Sequence, residues 1–141
     1  MAYKGKYKPH YPQKYKGNKS NVFYRSLWER KLMVYLDNTP SVLSWSSEEI
    51  AIPYISPLDN KRHKYYPDFL VTIKNNKGIQ TYLCEVKPKK QCRPPKNRKS
   101  KYFLREQRTY SVNRAKWEAA SRLCTQQGWK WKIITEDDLQ I

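Results

Sequence analysis

The sequence predicts a single α/β domain: a helix, a meander of antiparallel strands, a second helical region and a last strand. Three observations lead there. The 141 residues leave room for one domain and not two. Apolar residues recur at helical spacing in two stretches, and short apolar segments bounded by turn chemistry lie between them. Hydrophobic residues make up only 38% of the chain, but aromatics at 14% bury large areas each, so a core is available without spanning the full length.

Residues 1–21 contain no acid. Tyr3, Tyr7, Tyr11 and Tyr15 recur at every fourth place, each followed by Lys or Pro. Gly5, Pro9, Pro12 and Gly17 forbid a continuous helix there, so the segment reads as an extended basic arm ahead of a domain over residues 22–141. Such an arm either touches phosphates through Lys and stacks Tyr on bases or a partner, or is a solvated tail.

Ser26-Leu27-Trp28-Glu29 begins a helix, with Ser followed three places on by Glu as in a capping box. Trp28, Leu32, Tyr35 and Leu36 share one face, and Asp37-Asn38-Thr39-Pro40 ends it. Strands follow over residues 42–46, 50–55, 64–74 and 79–87, with Pro53 marking an edge or a bulge. Pro57-Leu58-Asp59-Asn60 and Asn75-Asn76-Lys77-Gly78 are turns. Folding about Asn76 sets Asp68 opposite Cys84 or Glu85. Residues 88–100 are basic, Pro-rich and free of acid, and must form a loop. Helix is expected over residues 102–110, then over 114–127 with Asn113 as its cap, Trp117, Ala120 and Cys124 on one face and Gly128 as the stop. Residues 129–135 read as the final strand and 136–139 as a short acidic turn of helix.

The chain holds 29 Lys and Arg against 12 Asp and Glu, a formal net charge of +17. An excess of this size seeks a polyanion, and the most basic segments contain Pro and Gly, which disfavours an amphipathic membrane helix. No apolar run is long enough for a transmembrane helix, and no signal-peptide core stands at the start. Nucleic acid is the expected partner, with no membrane. Cys84, Cys92 and Cys124 are odd in number and lack paired spacing, so neither a disulfide framework nor a zinc site is expected.

One constellation carries chemistry. Alternation puts Glu85 and Lys87 on one face of a strand, and the hairpin brings Asp68 beside them. Two carboxylates and an ammonium on one sheet face are costly as pure structure, but suit Mg²⁺ or Mn²⁺ held against a phosphodiester. Asp68 and Glu85 would hold the ion with the main-chain carbonyl of Val86. Lys87 would orient the attacking water or neutralise charge in the transition state. Glu29 would approach from its helix as a further ligand, unless it serves only to cap that helix. His63 and His10 receive no role.

Helix Glu29, then Pro67-Asp68, then Glu85-Val86-Lys87 resembles the PD-(D/E)xK nuclease superfamily. That likeness implies a restriction-endonuclease-like α/β/α core, with a mixed, largely antiparallel sheet flanked by helices. Over almost the whole sequence the chain is similar to the head completion family of T4-like tailed phages. The pieces that carry this are Met-Ala-Tyr-Lys-Gly-Lys at the start, Tyr24-Arg25-Ser26-Leu27-Trp28-Glu29, Ile52-Pro53-Tyr54, Glu85-Val86-Lys87-Pro88-Lys89-Lys90, Tyr110 through Trp117, and Ile134-Thr135-Glu136-Asp137-Asp138-Leu139. A remoter likeness runs to Tn7-type transposition endonucleases and phage junction resolvases.

The resemblance implies a Mg²⁺-dependent DNA endonuclease acting at the DNA-filled head before the tail joins. It would work in the host cytoplasm during assembly or in the head–neck region of the virion, with portal, neck or head proteins as partners. The alternatives are a non-catalytic neck or portal-associated DNA-binding protein and a dimeric junction resolvase. Lys89, Lys90, Arg93, Lys96, Arg98, Lys99 and Lys101 would contact DNA from the basic loop and its exit. Asn113 and Lys116 would do so from the following helix, or that stretch is there for the packing of Tyr110 and Trp117.

Overall fold

The computed structural model describes residues 4–140. Tyr3, one of the four periodic tyrosines, lies outside them.

Strand β1, Gly5–Lys6, pairs with β2, Phe23–Tyr24, and a single 3-10 turn lies between them. Helix α1 spans Leu27–Asn38, with the Ser26 hydroxyl accepting from the Glu29 N–H as its N-cap. Then come β3 Val42–Ser47, β4 Ile52–Ile55, β5 Arg62–Tyr65, β6 Phe69–Asn75 and β7 Gly78–Val86. Helix α2, Phe103–Gln127, is followed by β8, Lys130–Ile134, and the short α3, Glu136–Leu139.

The central sheet has the order β3-β6-β7-β8, with β7 and β8 parallel and the other pairs antiparallel. It is mixed and largely antiparallel, as expected. Strand alternation divides its side chains between two cores. Phe69, Val71, Cys84 and Ile134 pack with Leu32, Met33 and Leu36 of α1. Leu70, Leu83 and Ile133 pack with Trp117, Ala120 and Cys124 of α2. Helices therefore cover opposite faces, which makes an α/β/α sandwich.

Three expectations are corrected. The meander is not one sheet: β4 and β5 form a separate two-stranded ribbon, and the expected strand over residues 64–74 breaks at Tyr66-Pro67-Asp68. Pro67 has no N–H for a ladder, and β3 pairs with β6 directly. The helical region after the basic loop is one continuous helix. No Gly or Pro interrupts residues 103–127, and Asn113 is buried within the helix rather than capping it. Gly128 stops it in the left-handed region at φ 75°.

The N-terminal segment is extended and basic, but where described it does not stand away from the domain. Asp37, fully buried at the end of α1, accepts from the Tyr7 hydroxyl at 2.6 Å and from the backbone N–H groups of His10 and Tyr11 at 2.6 and 3.0 Å. The Lys14 ammonium donates to the Leu36, Asp37 and Thr39 carbonyls, each at 2.9 Å, capping the negative end of α1. Tyr15 is buried edge-on against Trp45, and Val22 is fully buried. The segment is a strap over the first core.

Candidate active site

The β6–β7 hairpin builds the site. Asn76 and Lys77 make its two-residue loop, and Gly78 takes φ 119°, where L side chains are strained. The register pairs Asn75 with Gly78 and Phe69 with Cys84. Asp68, just before β6, therefore falls opposite Glu85, and the Val86 N–H donates to Asp68 Oδ2 at 2.8 Å. Lys87, one residue past β7, keeps to the same side as Glu85, with its Nζ 3.9 Å from Glu85 Oε2. Asp68, Glu85 and Lys87 are brought together as alternation requires. Val86, expected to contribute its carbonyl, joins them through its N–H.

Burial sets the electrostatics. The Asp68 carboxyl is raised well above the usual range, first by burial and then by the charge of Glu85. Glu85 is raised by burial, against the opposing effects of a Tyr65 hydrogen bond and the Lys87 ammonium. The two titrate as a pair and tend to hold a proton when nothing else neutralises them.

Glu29 stands at the N-terminal turn of α1 and is likewise raised, chiefly by burial. Its charge reaches Asp68, but its oxygens turn back on the helix start, towards the Arg25 N–H and the Ser26 hydroxyl, each at 3.4 Å. Of its two expected roles, this geometry is the capping one.

Two features escaped the sequence reading. The buried Tyr65 hydroxyl donates to Glu85 Oε1 at 2.7 Å and anchors that carboxylate. Tyr65 stands two places before Pro67, with Tyr66 between, and nothing in that position singled it out. Glu48 takes a left-handed φ of 53° after β3, pairs with Arg25 at 3.2 Å, and donates its N–H to the Asp68 carbonyl at 3.2 Å. The Glu48-Glu49 pair at the strand's end carried no pattern that marked it.

The donor set can be tested against a metal. Among the described residues no three His, Cys, Asp or Glu side chains gather closely enough to hold an ion alone. A closed zinc site is thus a poor fit. Mg²⁺ or Mn²⁺ fits better, since such an ion takes one or two carboxylates and completes its shell with water and phosphate oxygens. Asp68 and Glu85 are two neighbouring carboxylates of the kind such an ion takes, and a cation between them would relieve their mutual repulsion.

The basic loop runs from β7 to α2 with one 3-10 turn, Lys89–Cys92. Lys89 is committed elsewhere: its N–H donates to Glu136 at 2.7 Å and its ammonium to Asp137 at 2.6 Å. Lys90, Arg93, Lys96, Arg98, Lys99 and Lys101 are exposed. Lys116 on α2 stands over the rings of Tyr65 and Tyr54, at 5.6 and 6.0 Å. Asn113 is buried beside it and Trp117 packs in the second core, while Tyr110 is half-buried and bonded to Arg114. His63 is exposed and paired with Asp59.

Comparison with known proteins matches residues 39–136 to the family described as the TnsA-like endonuclease N-terminal domain. The chain belongs to this family. Asp68, Glu85 and Lys87 lie inside the match, and Glu29 precedes it. The mixed sheet between helices is the restriction-endonuclease-like arrangement that the PD-(D/E)xK motif implies. The chain is also similar to the head completion nuclease of Enterobacteria phage T4, at 38% identity over 146 aligned positions, covering 99% of this chain and 95% of that protein. No described helix is long and apolar enough to cross a membrane.

Proposed function

We propose that this protein is a divalent-metal-dependent DNA endonuclease that acts in phage head completion. The observation that carries the reading is half-buried Asp68 set beside buried Glu85, with Lys87 3.9 Å from Glu85. Membership of an endonuclease family and likeness to a head completion nuclease over nearly the whole chain support it.

Asp68 and Glu85 would hold the ion. When bound, Mg²⁺ or Mn²⁺ would supply Lewis acidity toward the phosphate and lower the pKa of a coordinated water. Tyr65 fixes the orientation of Glu85, and the Val86 N–H fixes that of Asp68. Lys87 offsets charge as it gathers on the phosphoryl oxygens. Glu29, whose oxygens turn back on the start of α1, would reach the ion only through water. The exposed cations of the loop draw in the DNA backbone, and contacts of that kind carry no sequence information, so cutting is expected to be sequence-tolerant.

The test is nicking of supercoiled plasmid with Mg²⁺ or Mn²⁺. Wild type should nick. Asp68→Ala, Glu85→Ala and Lys87→Ala should each remove nicking while retaining the native circular dichroism spectrum. Cleavage that survives all three substitutions overturns the assignment. A phage carrying the Glu85→Ala protein should accumulate DNA-filled heads without tails, and normal particle yield would remove the head-completion role from the catalytic site.

A further inference from the structure

Apart from the carboxylate pair, a cavity of about 240 Å³ opens between α2 and the β4–β5 ribbon. Leu58 from the ribbon's turn closes one side, and Arg105, Arg108, Thr109, Asn113 and Lys116 line the other. These five positions follow helical spacing and form one stripe of α2. No carboxylate lines the cavity, and among the described residues none pairs with Arg105, Arg108 or Lys116. Asn113, only 6% exposed, borders the same space. Three cations and one amide around an opening free of acid are arranged for an anion with several acceptor oxygens.

The stripe also has a direction. Lys116 lies against Tyr65, whose hydroxyl holds Glu85, so that end adjoins the carboxylate pair. Arg105 lies eleven residues back, roughly 16 Å at the rise of an α-helix. At about 3.4 Å of axis per nucleotide, that distance corresponds to four or five phosphates along one strand. The basic loop enters α2 at the same end as Arg105, so loop and stripe form one cationic track. Resting on the proposed DNA substrate, we propose that this α2 cavity is a backbone-phosphate clamp, gripping a DNA strand several nucleotides from the bond that is cut. The loop cations attract DNA from exposed positions. The cavity adds a fixed seat that sets where along the strand the carboxylate pair acts.

Salt-dependent binding to a short duplex, in EDTA with the full-length protein, tests this. The slope of log K against log salt counts phosphates contacted, at about 0.9 per contact on B-form DNA. Arg105→Ala/Arg108→Ala should lower that slope by about 2. Both side chains are exposed, so the fold should be retained. Arg114→Ala is the control, because Arg114 lies on the opposite side of α2 and pairs with Glu118. It removes one positive charge and should change the slope little. Equal slopes for wild type and the double variant overturn the clamp.

Inorganic phosphate distinguishes the source of the anion. Weak phosphate binding that fails to displace DNA agrees with the clamp. Tight phosphate binding at the cavity, with the DNA slope unaffected by the double variant, would make it a small-anion site and overturn the clamp. The two proposals fail separately. Absence of nicking with a lowered slope removes the nuclease and leaves the clamp, whereas intact nicking with an unchanged slope does the reverse.

Discussion

Replacing Asp68 by Asn should make the metal-free protein more stable at alkaline pH. The substitution keeps the side chain's shape and an acceptor for the Val86 N–H, now 2.8 Å from Oδ2. It removes one of two neighbouring negative charges, Asp68 half-buried and Glu85 buried. The sign follows from linkage. Burial and Glu85 raise the Asp68 carboxyl in the fold, so the folded chain holds that proton more tightly than the unfolded chain. The associated stability is fully present below the ordinary carboxylate range and is lost as pH rises through the raised folded value. Each unit of displacement is worth about 1.4 kcal/mol. The Asn variant escapes this loss and should gain on the order of 1–3 kcal/mol at about pH 8.5, with little difference near pH 4. For a domain of this size that is a rise of roughly 3–12 °C in Tm. Thermal unfolding followed by circular dichroism in EDTA, across that pH range, reads it. Excess Mg²⁺ should then stabilise wild type and leave the variant where it was. A natively folded variant that melts at or below wild type at alkaline pH without metal would refute the reasoning.

Three further outcomes follow from the same geometry. Tyr65→Phe removes the donor at 2.7 Å from Glu85 and should weaken metal-dependent nicking about 10- to 100-fold, with the loss concentrated in the Mg²⁺ concentration required. Nicking should rise with pH through the neutral range at limiting Mg²⁺ and flatten when Mg²⁺ is saturating, because the ion competes with protons for the raised pair; pH profiles at two Mg²⁺ concentrations check this. Asp37→Ala strips the Tyr7 hydroxyl and two backbone N–H groups of their acceptor and should cost about 2–5 kcal/mol, read as a lower urea midpoint.

The parts legible in the sequence were those set by local rules. Asn75-Asn76-Lys77-Gly78 specified the hairpin, the hairpin set the register, and alternation then placed Asp68, Leu70, Leu83 and Glu85 toward α2. Ser26 and Gly128 marked helix ends by capping chemistry that acts over a few residues. What stayed hidden depends on partners far along the chain. Tyr7, Lys14 and Tyr15 look like a solvated basic tail until Asp37, the end of α1 and Trp45 are in place to receive them. Tyr65 has no periodic signature, and its role exists only because β5 leaves the central sheet and swings its hydroxyl toward Glu85. Asn113 has the composition of a helix cap, yet the unbroken run around it carries α2 straight through.

The most direct test of the shared cation is Mn²⁺ titration followed by electron paramagnetic resonance, on wild type, Asp68→Asn and Glu85→Gln. Wild type should bind the ion saturably near neutral pH, and each variant, still folded, should lose most of that binding. Undiminished Mn²⁺ binding in both variants would mean that the two carboxylates do not grip a common ion.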